Sequence, residues 1–166
     1  MTYNATTGRL DSVAATPGSP EFGSISYGSY DNAGRPQTVT LPGPRTVNML
    51  YDTNGNVTQV RTPLSYPHDF YPTVTDQLAT YHPPTLLSQG GSTTYSYDRD
   101  SLIKSTQEPQ NLATYSRDGA GRVVDMSYPT VWGQHDVTYG YADHGLIDHI
   151  ATNVGSTALT ALSYVH

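Results

Sequence analysis

Four places in the chain set a histidine beside an acid: His68 with Asp69, His135 with Asp136, Asp143 with His144, and Asp148 with His149. An imidazole held by a carboxylate is the arrangement that activates a general base. Neighbours along an extended strand point to opposite faces, however, so adjacency in sequence argues against such pairs, and these residues read as polar positions on exposed hairpins. His144 and His149 stand five residues apart across a turn and a strand, yet the spacing supplies no third ligand for a metal. There is no Gly-x-Ser-x-Gly elbow and no phosphate-binding loop ending in lysine, since the single lysine, Lys104, sits in "LIKST". The two apposed carboxylates of a glycosidase would have to come from aspartates that turns already explain. The expectation is no catalytic residue, no cofactor and no metal.

Aromatic rings could serve a ligand instead. Trp132 in "PTVWGQHD" and the fourteen tyrosines could stack on sugars or anchor a surface receptor. The competing reading makes the tyrosines part of a structural ladder and Trp132 a loop anchor, and it is preferred because the tyrosines recur with a repeat. Asn4-Ala5-Thr6 and Asn56-Val57-Thr58 match the glycosylation acceptor pattern, which matters only in a eukaryotic secretory host.

The elements that would position these residues are legible from composition. Lys104 is the only lysine among eight cations, and Glu21 and Glu108 are the only glutamates among fourteen acids, so the chain lacks surface helix formers and is rich in Thr, Ser, Tyr, Val, Gly and Asp. An all-β fold is expected, and a length of 166 residues suits one domain with one core. A net charge of −6 without a basic stripe excludes nucleic acid as the expected partner. No apolar run reaches the roughly 20 residues of a membrane helix, and Met1 opens no signal-peptide pattern, so a soluble chain is expected. Zero cysteines exclude disulfides and thiolate metal sites without fixing a compartment.

A repeat organises the rest. "YDNAGRPQTVTL" from Tyr30, "YDTNGNVTQV" from Tyr51, "YDRDSLIKST" from Tyr97 and "YADHGLIDHI" from Tyr141 each place Gly or Ser four residues after the tyrosine. "YNATTGRLDSV" from Tyr3 carries one extra turn residue, and "YSRDGAGRVVDM" from Tyr115 reads as carrying two, so that Asp118 and Gly121 bracket its turn. The starts lie 27, 21, 46, 18 and 26 residues apart, and the long gap predicts a worn copy near "YPTVTDQLATY" from Tyr71. In the units that keep the motif an aspartate (Asp31, Asp52, Asp98) opens a type I turn by accepting backbone amides, and a glycine (Gly8, Gly34, Gly55, Gly145) closes it with positive φ. Alternation before the turn, as in Val47, Met49 and Tyr51 or Val137, Tyr139 and Tyr141, predicts strands whose tyrosines line up as an aromatic ladder. The predicted fold is a curved, open sheet of consecutive antiparallel hairpins, one module over residues 1–166. Residues 62–90 hold five prolines and are expected to form a strand-poor surface excursion or a degenerate repeat, with a smaller loop at 16–24.

Copies of Tyr-Asp-x-x-Gly followed by Arg or Asn and an aliphatic residue resemble the YD repeats of the RHS family. That resemblance implies a hairpin ribbon spiralling into a hollow shell, as in bacterial RHS toxins that enclose a toxic segment, toxin-complex cocoons and the barrel of teneurin adhesion proteins. The family's Asp-Pro-x-Gly-Leu closing pattern, with its aspartyl self-cleavage, has no counterpart, because no aspartate here precedes a proline. The expected role is a non-enzymatic wall or scaffold, secreted or at the cell surface. It would pair with flanking repeats or with copies of itself by strand addition, because "LSYVH" ends where a strand should meet its next Asp.

Overall fold

The computed structural model describes residues 1–14, 23–43, 45–85 and 91–165. Contacts divide the chain into two units, Met1–Gly90 and Gly91–His166. The first holds β1 (Thr2–Tyr3), β2 (Leu10–Val13), β3 (Ile25–Tyr27), β4 (Thr38–Leu41), β5 (Arg45–Tyr51), β6 (Val57–Arg61), β7 (Pro67–Pro72) and β8 (Leu78–His82). The second holds β9 (Thr93–Tyr97), β10 (Ile103–Gln107), β11 (Leu112–Arg117), β12 (Val123–Thr130), β13 (Gly133–Tyr141), β14 (Ile147–Val154) and β15 (Thr157–Ser163). Within each unit every strand pairs antiparallel with the next in chain order. No helix occurs among the described residues. The protein is all-β, a succession of hairpins in an open sheet.

Period-two alternation gives each unit two unlike faces. In the first, Val39 opposes Val47, Met49 opposes Val60, and Phe70 opposes Tyr81. The reverse face carries Thr38 opposite Asn48 and Gln59 opposite Asp69. In the second, Tyr115, Met126, Val137 and Thr152 form one cross-strand row, while Ser96, Ser105, Thr114, Ser127, Asp136 and Asn153 form a polar one.

The expected single core is not found. Val137, 9% exposed, is the one buried hydrophobic residue among those described, and no polar residue is buried. Within each unit, side chains bury only against cross-strand neighbours, so a length sufficient for a core produces none.

Residues 62–85 contain β7 and β8. Pro67 begins β7 opposite Arg61, and Pro72 ends it at a bulge opposite Leu78. Those are the two kinds of position where a missing N–H costs a strand least. The 16–24 loop lies outside the described residues apart from Gly23 and Ser24.

Candidate functional site: the clasp between successive hairpins

Seven turns join an odd-numbered strand to the next even one, opening at Asn4, Asp31, Asp52, Thr73, Asp98, Asp118 and Ala142. They define repeats 1 to 7 in that order. In repeat 2 the Gly34 amide donates to the Asp31 carbonyl and the Asp31 amide to the Arg35 carbonyl, both at 3.0 Å. The Asp31 carboxylate accepts the amides of Ala33 and Arg35, both at 2.9 Å. Asp98 and Asp118 repeat this pattern, and Asp52 accepts from Gly55 and Asn56 at 2.8 Å. Asn4 serves across one extra residue by accepting from Thr6 and Thr7. In repeat 7 the backbone bonds persist although Ala142 offers no acceptor.

The worn copy anchors at Thr73, two residues after Tyr71. Its hydroxyl oxygen accepts the amides of Thr75 and Gln77, Asp76 takes the glycine's place at φ 62°, and Pro72 takes the tyrosine's. In repeat 6 the two extra residues expected after Tyr115 are absent as an insertion. Arg117 opposes Val123 as Tyr51 opposes Val57, so Arg117 stands at the tyrosine position and Tyr115 lies two residues upstream on the same face.

Among the described residues Tyr30, Tyr51 and Tyr141 do not stack ring on ring with one another. Tyr30, Tyr51 and Tyr141 each meet instead the arginine that follows the previous repeat's glycine. The Arg9 guanidinium lies 5.2 Å from the Tyr30 ring centroid, Arg35 4.4 Å from Tyr51, and Arg122 4.4 Å from Tyr141. Two of these arginines also bind their own turn's carboxylate, Arg35 with Asp31 at 2.6 Å and Arg122 with Asp118 at 2.7 Å. The hydroxyl beneath then donates to the carbonyl just after the arginine: Tyr30 to Leu10, Tyr51 to Pro36 at 2.8 Å, and Tyr141 to Val123 at 2.7 Å. Glycine at the turn makes room for this. A Cβ on Gly55, already at φ 104°, would sit 3.1 Å from an Arg35 nitrogen. One carboxylate, one guanidinium and one phenol thus clasp repeat 2 to repeat 3 and repeat 6 to repeat 7, and a guanidinium and a phenol join repeat 1 to repeat 2.

At two junctions both halves are replaced, and at a third the arginine alone is, with Gln77 in its place while Tyr97 keeps the tyrosine position. Repeat 3 has Asn56 for its arginine and repeat 4 has Pro72 for its tyrosine. Repeat 5 has Leu102 and repeat 6 has Arg117. Arg117 compensates by donating to the Ile103 carbonyl at 2.8 Å, the acceptor a tyrosine would take. Tyr3, which has no preceding repeat within the chain, is 62% exposed, and Tyr97 is half-buried, its phenol pushed up by desolvation and by Tyr95.

Electrostatics follow the geometry. The Arg35 amide, with its guanidinium, holds Asp31 below the ordinary carboxylate value, the Arg122 side chain does so for Asp118, and the Asn56 amide does so for Asp52. Asp125, on the polar face, is raised by burial and by Asp136 nearby. Asn56 Nδ2, the atom a glycan would occupy, is engaged by Asp52 at 3.0 Å and Asp76 at 2.7 Å.

Trp132 is not a packed anchor. It is 84% exposed beside Val131 at 92%, on the tip joining β12 to β13, because a two-residue turn leaves neither side chain a strand to lie against. His68 and His135 each share a hydrogen with a tyrosine, Tyr81 and Tyr128, at 2.6 Å. The adjacency argument fails at Asp148 and His149. Gly140 opposes His149 and Tyr141 opposes Ile147, so Asp148 is the extra residue of a bulge and its carboxylate meets the imidazole at 2.7 Å. Both side chains are substantially exposed. Sequence reading named the tyrosines, aspartates and glycines; the arginine in "GR" was the signal for the partner it missed.

The fold and its clasps define a YD-repeat wall. The family model described as Teneurin YD-shell matches residues 1–161, and the chain belongs to that family. Among solved structures, TcdB2-TccC3 superposes with a TM-score of 0.75 at 11% identity, over 87% of this chain and 9% of that one. A TcdB2-TccC3-TEV structure gives 0.74 and 11% over 87% and 9%. A mutant Tc holotoxin pore of Photorhabdus luminescens gives 0.71 and 10% over 85% and 8%. At such identities the likeness is one of fold, and the chain spans less than a tenth of each of those proteins. No curated protein matches the sequence.

Proposed function

We propose that this chain is a non-enzymatic wall segment of a secreted or cell-surface YD-repeat shell, with residues 1–166 acting as one module. The observation carrying this reading is the clasp. Its groups spend their hydrogen bonds and charges on joining hairpins, and they support a wall whose two faces differ while neither holds a core. Partners are flanking repeats or further copies that add a strand beside β15. Among the described residues β15 pairs only with β14, and all seven of its residues are exposed. Light scattering across a concentration series tests this: the chain should associate, and Leu159→Lys, which charges that edge, should leave it monomeric. A wild-type chain that stays monomeric at every concentration overturns strand addition.

A second reading rests on the exposed tip. Val131 and Trp132 form an apolar knob suited to stacking on a glycan or entering a receptor. Loss of glycan-array or cell binding in Trp132→Ala would support it, and unchanged binding would end it.

A further inference from the structure

The junction between repeats 3 and 4 lacks both halves of the clasp, and the space they would fill is open. A cavity of about 430 Å³ lies there, floored by Val57, Val60, Phe70, Pro72 and Leu78, with Asp76 and Asn56 at its rim. Between repeats 6 and 7, where Tyr141 is in place, the corresponding cavity is about 210 Å³. Only the larger falls within the usual range of ligand pockets, roughly 300 to 1,000 Å³.

Charge is unbalanced at the same point. In repeats 1, 2 and 6 the arginine reaches over the next turn's glycine, with guanidinium nitrogens 3.6, 3.1 and 3.6 Å from the Cβ that Gly34, Gly55 and Gly145 would carry. In repeat 4 the glycine position is Asp76, so a carboxylate stands where a guanidinium would arrive. Asp76 Oδ1 accepts from Asn54 at 3.0 Å and Asn56 at 2.7 Å, and the same Asn56 amide donates to Asp52 at 3.0 Å. Two carboxylates therefore converge on one neutral amide, with no ion pair to either among the described residues.

We propose that this junction binds an arginine side chain presented by another polypeptide, which supplies in trans the group that Asn56 replaces. An arginine stem lies well on the valine, leucine and phenylalanine floor, and its planar fork suits the carboxylates at the rim. A hydrated metal ion would leave the apolar floor unused. The proposal stands on the cavity and its rim and does not depend on the wall reading.

The test is a titration of the full chain with N-acetyl-arginine amide, followed by NMR, with N-acetyl-citrulline amide as the neutral control of equal shape. Saturable shifts at Asn56, Val57, Phe70 and Asp76 are expected with arginine and not with citrulline. Asp76→Asn should weaken binding by about tenfold or more. Asn56→Arg combined with Pro72→Tyr, which rebuilds the clasp from within, should abolish it while leaving the resonances of β11 to β15 in place. Equal response to citrulline, no saturable shift at these residues, or unaltered affinity in Asp76→Asn would each overturn the proposal. Calcium shifting the same resonances in place of arginine would also overturn it.

Discussion

At the scale of single residues, the turn aspartates carry a pH signature that can be worked out by sign. Asp31, Asp52 and Asp118 are held below the ordinary carboxylate value by the amide and guanidinium donors around them. Their contribution is present above the unfolded value and is lost as the pH falls through the lowered folded value. Asp125 runs the other way. Burial and Asp136 raise it, so its charged form weighs against folding at neutral pH, and protonation relieves this as the pH falls toward its unfolded value. Thermal melts should therefore show the wild type losing stability below about pH 4, with a shallower loss in Asp118→Asn. Asp125→Asn should melt higher than wild type at pH 7, with the gain disappearing in acid. A melting profile of Asp118→Asn parallel to wild type throughout would contradict the assignment.

At the scale of elements, the hairpins were readable because turn chemistry is local: an Asp or Asn acceptor, a left-handed glycine and alternating flanks lie within a dozen residues. Repeat 4 was harder because Thr73, Asp76 and Pro72 each substitute for a motif residue while keeping its backbone role. Repeat 6 was misaligned because Tyr115 draws the eye from Arg117, and only the cross-strand register shows which residue faces Val123. Asp148 and His149 were misjudged because a bulge suspends the alternation that strand reasoning assumes. The arginine's partner could not be read from within one repeat at all, since it lies in the next. Repeat 7 offers a direct check on the turn logic, because Ala142 keeps the backbone bonds without a side-chain acceptor. Ala142→Asp should gain the amides of His144 and Leu146 and stabilise the chain by about 0.5 to 1 kcal/mol in urea unfolding. No change, or a loss, would show that the carboxylate is incidental to the turn.

At the scale of the whole molecule, each sheet is a one-dimensional array in which every hairpin touches only its neighbours. Composition predicted β structure correctly and a core wrongly, for one reason: valine and threonine alternate well enough for strands, but within each unit no described residue lies across the apolar face to bury it. Stability in such an array is the sum of hairpins and junctions, and the junctions carry the cooperativity. Arginine and tyrosine are lost jointly at Asn56 with Pro72 and at Leu102 with Arg117, whereas Gln77 replaces the arginine with Tyr97 retained, so the coupling of the two groups has to be read where both are present. A double-mutant cycle on Arg35→Met and Tyr51→Phe, read by urea unfolding, measures this most directly. The clasp predicts that the two changes are coupled by about 0.5 kcal/mol or more, and additivity to within about 0.3 kcal/mol would contradict it.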